Sequence, residues 1–192
     1  MVLRNIISAT LTAVMLGGAV LPAIADGTVT GQTIIEDFTM QPETRWRFFT
    51  DQVMGGVSTG GVAFANEDGA SFARMTGRVS TANRGGFIQM RLDLASPPPE
   101  GTTGVRLIVR GNTQRYFVHL RTGGTLLPWQ YYQAGFDVTE SWNEVRLPLD
   151  AFAASGGLLR SVPDPANLTS VAVVAYGRDH DAQIDVREVS FY

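Results

Sequence analysis

The sequence holds 192 residues, 44% of them hydrophobic and 17% charged, which suits one globular domain and excludes wholesale disorder. Its 15 basic residues are all arginine, its formal net charge is -3, and it has no cysteine. That charge speaks against a nucleic-acid partner, and the missing thiols exclude a disulfide framework, a thiolate zinc site and a cysteine nucleophile.

At the start of the chain, Arg4 precedes an apolar run from Ile6 to Val20, followed by Leu21-Pro-Ala-Ile-Ala25. A positive start, an apolar middle and an Ala23-x-Ala25 ending predict a signal peptide over residues 1–25, cleaved before Asp26. The mature domain is then 26–192, exported to the periplasm, with no later segment apolar enough to span a membrane.

Short apolar or alternating runs follow. They predict strands at Thr33–Phe38, Arg45–Asp51, Gly61–Asn66, Ser71–Val79, Gly86–Leu94, Gly104–Gly111, Arg115–Arg121, Tyr131–Val138, Trp142–Leu147, Thr169–Tyr176 and Ile184–Phe191. Glycine, proline and asparagine clusters such as Ser96-Pro-Pro-Pro-Glu-Gly101 separate them. Pro148 to Ala154 is expected to form one short helix, and residues 155–168 a surface loop. Many short strands with such spacers make an all-β sandwich or barrel.

Alternation assigns faces, because neighbouring strand residues point opposite ways. Ile88, Met90 and Leu92, then Val105, Leu107 and Val109, then Tyr116, Val118 and Leu120 are expected to face the core. The opposite side then carries Phe87, Gln89, Arg91, Asp93, Arg106, Ile108, Arg110, Arg115, Phe117, His119 and Arg121. If these consecutive strands pair as hairpins, they build one arginine–aromatic face, the composition of a recognition surface.

The inventory for catalysis is thin. His119 and His180 are the only imidazoles, and no G-x-S-x-G elbow, H-E-x-x-H helix or phosphate-binding glycine loop occurs. Asp179-His180-Asp181 looks like an acid–base or metal cluster, but such a tripeptide is more often a solvated loop tip. No catalytic residue, metal or cofactor is therefore expected.

A segment from Trp46 to Ser58 stands apart: aromatics run into Asp51-Gln-Val-Met54, then Gly55-Gly56, then Val57-Ser58. Trp46, Asp51, Met54, Gly55, Gly56 and Ser58 are candidate binding residues, and the glycines permit backbone angles other residues avoid. This stretch resembles the signature of the complex I intermediate-associated protein 30 family. The resemblance continues through Gly77-Arg-Val-Ser80, Asn83-Arg-Gly-Gly-Phe87, Val109-Arg-Gly-Asn112, Arg115-Tyr116, Tyr132-Gln-Ala134 with Phe136, Trp142, and Leu147-Pro-Leu-Asp-Ala-Phe152. It implies a jelly-roll β-sandwich of the galactose-binding-domain-like kind, similar to some carbohydrate-binding modules. It also implies an assembly-factor or chaperone-like module without enzymatic activity, whose partner is a protein such as a membrane-complex subunit. Binding of cell-envelope carbohydrate is the alternative.

Overall fold

Alternating runs cut by glycine and proline turns cannot sustain long helices, and the described residues fold into strands joined by turns and short 3-10 segments. The computed structural model describes residues 31–192, so the expected signal peptide over residues 1–25 and its expected cleavage site lie outside the described residues. Twelve strands are found among the described residues: β1 (Thr33–Glu36), β2 (Trp46–Thr50), β3 (Thr59–Glu67), β4 (Ala70–Val79), β5 (Phe87–Asp93), β6 (Gly104–Gly111), β7 (Arg115–Thr122), β8 (Tyr132–Asp137), β9 (Asn143–Pro148), β10 (Ala153–Ala154), β11 (Leu168–Tyr176) and β12 (His180–Phe191). All eleven expected strands are present. The helix expected over Pro148–Ala154 is instead a single 3-10 turn, Leu149–Ala151, leading into β10. No helix of the described residues is long and apolar enough to cross a membrane.

The strands form two antiparallel sheets. The first runs β3-β4-β12-β6-β9, with β1 paired to the end of β12; the second runs β10-β8-β7-β11-β5-β2. Between them lie the residues whose alternation marked them as core: Ile88, Met90 and Leu92 from β5, Val105, Leu107 and Val109 from β6, and Tyr116, Val118 and Leu120 from β7. Burying such side chains contributes about 1.5–3 kcal/mol each, which is what makes the sandwich close.

One expectation fails. Strands β5, β6 and β7 are consecutive in sequence but do not form hairpins, because β6 belongs to the first sheet while β5 and β7 flank β11 in the second. The connection from β5 to β6 contains Pro97, Pro98 and Pro99, which offer no N–H to a hairpin ladder and carry the chain across the sandwich. The return from β6 to β7 is an arch: Thr113 has φ 56°, and the Asn112 N–H donates to Gln183 O at 3.0 Å.

Candidate functional site

The crossing splits the expected arginine–aromatic face. Arg106 and Arg110 project from the outer side of the first sheet, among acids. Arg106 pairs with Glu144 at 2.7 Å and with Glu188. Arg110 pairs with Glu67 at 2.6 Å and with the buried Asp185 at 2.8 Å, and lies over the Trp142 ring at 4.6 Å. Arg74 completes this lattice at 2.7 Å from Asp185. Each guanidinium here is paired with acids, and lying on the other sheet these two residues are not part of one site with Arg91 and His119.

On the second sheet the remaining residues do converge. Strand register sets Arg47, Arg91, Ala172, His119 and Gln133 side by side in one row across β2, β5, β11, β7 and β8. The adjoining row is Phe49, Gln89, Val174, Phe117 and Gly135. Ala172 and Val174 point away from the core yet are 2% and 0% exposed, because half-buried aromatics cover them. Phe49 meets Phe87 edge-on at 6.3 Å, and Phe117 meets Tyr176 edge-on at 6.0 Å. The His119 ring stacks on Tyr131 at 4.0 Å, and the Tyr131 hydroxyl donates to that of Tyr176 at 3.3 Å.

A cleft of about 60 Å³ opens in this face, lined by Phe49, Gln89, Arg91, His119, Tyr131 and Gln130 among others. The loop after β7 forms one wall. Arg121 holds that loop in place by donating to the carbonyl oxygens of Thr125 at 2.9 Å and Leu127 at 3.0 Å. Burial pushes the His119 imidazole down to about 4, against the opposing hydrogen bond between its Nε2 and Gln133 Oε1 at 2.8 Å. His119 is therefore neutral at pH 7, and since Gln133 offers an oxygen, Nε2 carries the proton. Burial also lowers the Arg91 guanidinium; Asp93 opposes this, while Arg47 and Arg121 add to it. The arrangement donates hydrogen bonds and stacks. Among the described residues no grouping of three or more His, Asp or Glu side chains could hold a metal.

The motif from Trp46 to Ser58 does a different job. Trp46 is a core residue, 4% exposed, whose Nε1 donates to Glu36 at 2.8 Å. Asp51 is fully buried and accepts from Ser58 N–H at 2.9 Å, Ser58 Oγ at 2.5 Å, Gly86 N–H at 2.5 Å and Phe87 N–H at 3.3 Å. Burial opposes its ionisation, but the Ser58 and Gly86 hydrogen bonds outweigh that and hold the carboxyl below the ordinary range. The carboxylate thus clasps the β2–β3 connection to the β4–β5 connection. Trp46, Asp51 and Ser58, expected as binding residues, are enclosed and serve the fold. Only Met54 of this set is a solvent-facing side chain, beside the exposed Val53 and Val57.

The two glycines are required for different reasons. Gly55 ends the 3-10 turn Asp51–Met54 at φ 89° with open space where a Cβ would project. A Cβ on Gly56 would sit 2.3 Å from Asp51 Cγ. Gly56→Ala is accordingly expected to lower thermal stability by about 2–4 kcal/mol, since the clasp must open, and Gly55→Ala by about 1 kcal/mol through backbone strain alone. Equal melting curves for the two variants would contradict this division.

Asp179 is also structural. Its carboxylate accepts from the N–H and the hydroxyl of Thr81, both at 2.7 Å, pinning the turn after β4. The sequence pointed to Arg91, Arg121, Phe87, Gln89, Phe117 and His119 on this face, but missed Phe49, Gln130, Tyr131 and Tyr176. Strand β11 is buried on both faces, so no alternation marks Tyr176, and Gln130 lies in a loop without periodicity.

Comparison with solved structures finds a similar sandwich fold in carbohydrate-binding modules. The family 11 module of the cellulosomal cellulase Lic26A-Cel5E of Clostridium thermocellum superposes with a TM-score of 0.68 at 11% identity, covering 84% of this chain and 94% of that one. The same module in complex with a β-1,3-1,4-mixed-linked tetrasaccharide gives 0.67 at 11% identity over 84% and 95%. A family 30 carbohydrate-binding module gives 0.52 at 13% identity over 71% and 91%. At these identities the likeness concerns the fold alone. No curated protein sequence matches significantly. The family model for complex I intermediate-associated protein 30 does match, over residues 37–181, a span that contains both the Asp51 clasp and the cleft. The chain belongs to the complex I intermediate-associated protein 30 family.

Proposed function

We propose that the protein is a non-catalytic, exported binding module of the assembly-factor type, which grips a protein partner with the outer face of its second sheet. One observation carries this reading. The cleft is rimmed by a loop that exposes Leu126 (83%) and Trp129 (61%) to solvent, and a rim of large apolar side chains beside oriented polar groups is how protein interfaces are built. Membership of the family supports a protein partner, and the apolar run with Ala23-x-Ala25 supports export.

A second reading, recognition of an envelope carbohydrate, is favoured by the superposition on a module holding a mixed-linked tetrasaccharide. Affinity capture from the envelope fraction separates the two. A partner held by the native protein is expected to be lost about tenfold when Leu126→Asp and Trp129→Asp are combined, since apolar anchors dominate binding energy. Capture that ignores both substitutions would overturn the assignment. Absent capture, with a melting temperature raised by the tetrasaccharide, would establish the carbohydrate reading instead.

A further inference from the structure

The cleft holds a cation without a hydrogen-bonding partner. Arg91 is only 22% exposed at its side chain, and among the described residues its guanidinium makes no hydrogen bond; its Nε is buried and unpaired. Asp93 Oδ1 lies 3.2 Å from that Nε, but out of line for a hydrogen bond, and the other Asp93 oxygen contacts Arg47. The ring of Phe49 supports the guanidinium from one side at 5.1 Å. A mostly buried donor group left unpaired in this way costs free energy unless something accepts from it.

The remaining groups point the same way. Gln130 Oε1 accepts from the Leu127 N–H at 3.0 Å, and among the described residues neither its amide nitrogen nor the Gln89 side chain has a hydrogen-bond partner. Arg47 and Arg121 add positive charge, and among the described residues Asp93 is the only acid lining the cleft or the depression beside it. The volume, about 60 Å³, admits a few waters or one small polar group, far below the roughly 300–1,000 Å³ of sites that enclose a small molecule. Beside it, sharing Arg91, Arg121 and Ser170, runs a shallow open depression of about 490 Å³ bounded by Asp93, Thr122 and Thr169.

We propose that the cleft receives the carboxylate of an acidic peptide, with the partner's backbone in the depression and Arg91 as the receptor of its Asp or Glu side chain. This deepens the protein-binding reading above and rests on it. Arginine suits the role because its planar fork meets a carboxylate with two parallel hydrogen bonds.

The test uses the Nε–H resonance of Arg91 in ¹⁵N-labelled protein, assigned by its disappearance in Arg91→Gln. A hexaglutamate peptide is expected to shift that resonance progressively, hexaglutamine to leave it still, and the Nε–H of Arg187, on the opposite sheet, to move with neither. Arg91→Gln is expected to weaken hexaglutamate about tenfold or more. Arg187→Gln, which removes the same charge elsewhere, should change it by no more than about twofold. The proposal is overturned by an unmoved Arg91 resonance at ~1 mM peptide, by equal losses in the two variants, or by tighter binding of oligogalacturonate, which carries the same carboxylate on a sugar. Should Arg91→Gln fail to fold, the titration of the native protein decides alone. Partner capture that persists while hexaglutamate fails would overturn the carboxylate assignment and leave the protein-binding reading standing.

Discussion

Asp51→Asn is expected to lower the stability of the domain by about 3 kcal/mol, the cost of stranding buried donors. An amide can present one oxygen where the carboxylate presents two, and the four donors from Ser58, Gly86 and Phe87 converge on both. The new NH₂ group would face the N–H groups of Gly86 and Phe87 across 2.5–3.3 Å, with the Ser58 hydroxyl alone beside it able to accept. For a domain of this size the melting temperature should fall by roughly 6–12 °C; a fall within about 2 °C would show that the clasp is incidental. The same bonds give an acid dependence. Because the folded carboxyl titrates below its ordinary 3.8, its contribution is complete above that pH and is lost as the pH falls further.

His119 sets the other large effect, at milder pH. Its imidazole is pushed by burial from 6.5 to about 4, so between those values the unfolded chain binds a proton that the native one refuses. Stability should therefore be complete above about pH 6.5 and decline by about 1.4 kcal/mol per pH unit toward pH 4. That amounts to roughly 3 kcal/mol over the window. His180 is lowered in the same direction by its own burial and adds to the slope. His119→Phe keeps the stack on Tyr131 and removes the titration. The difference between native and variant curves, from denaturant melts at pH 4.5 to 7, isolates the His119 share. Parallel curves would refute it.

Much of the fold was legible because two periodicities coincide in it. Alternation in β5, β6 and β7 marked the inward residues correctly, since each has one face on a single apolar core. The same alternation could not say to which sheet a strand belongs. An outward arginine looks alike on either side of the sandwich, and so Arg106 and Arg110 were grouped with Arg91. The prolines after Ser96 were visible as a turn signal, but their consequence, a crossing rather than a hairpin, depends on partners distant in sequence. The signature from Asp51 to Ser58 stood out for a reason other than binding. Its residue types are dictated by a buried carboxylate and the backbone that crowds it, and a need of that kind is as demanding of sequence as a ligand site. The aromatic face was half legible: Phe117 and His119 alternate visibly, whereas Tyr131 and Tyr176 join them only through strand order.

That strand order also governs how the molecule is made. In the first sheet, β4 and β6 are both hydrogen-bonded to β12 and not to each other. The β3–β4 hairpin and the β6–β9 pair therefore meet only across the strand that is translated last of the twelve. Chain-closing contacts of this length are entropically expensive to nucleate, which places the domain among slow, non-local folders. Until His180–Phe191 arrives, two open sheet edges stand exposed, each a template for another chain. A holding factor that covers nascent edges would find its substrate here, in the half-assembled state of this protein itself.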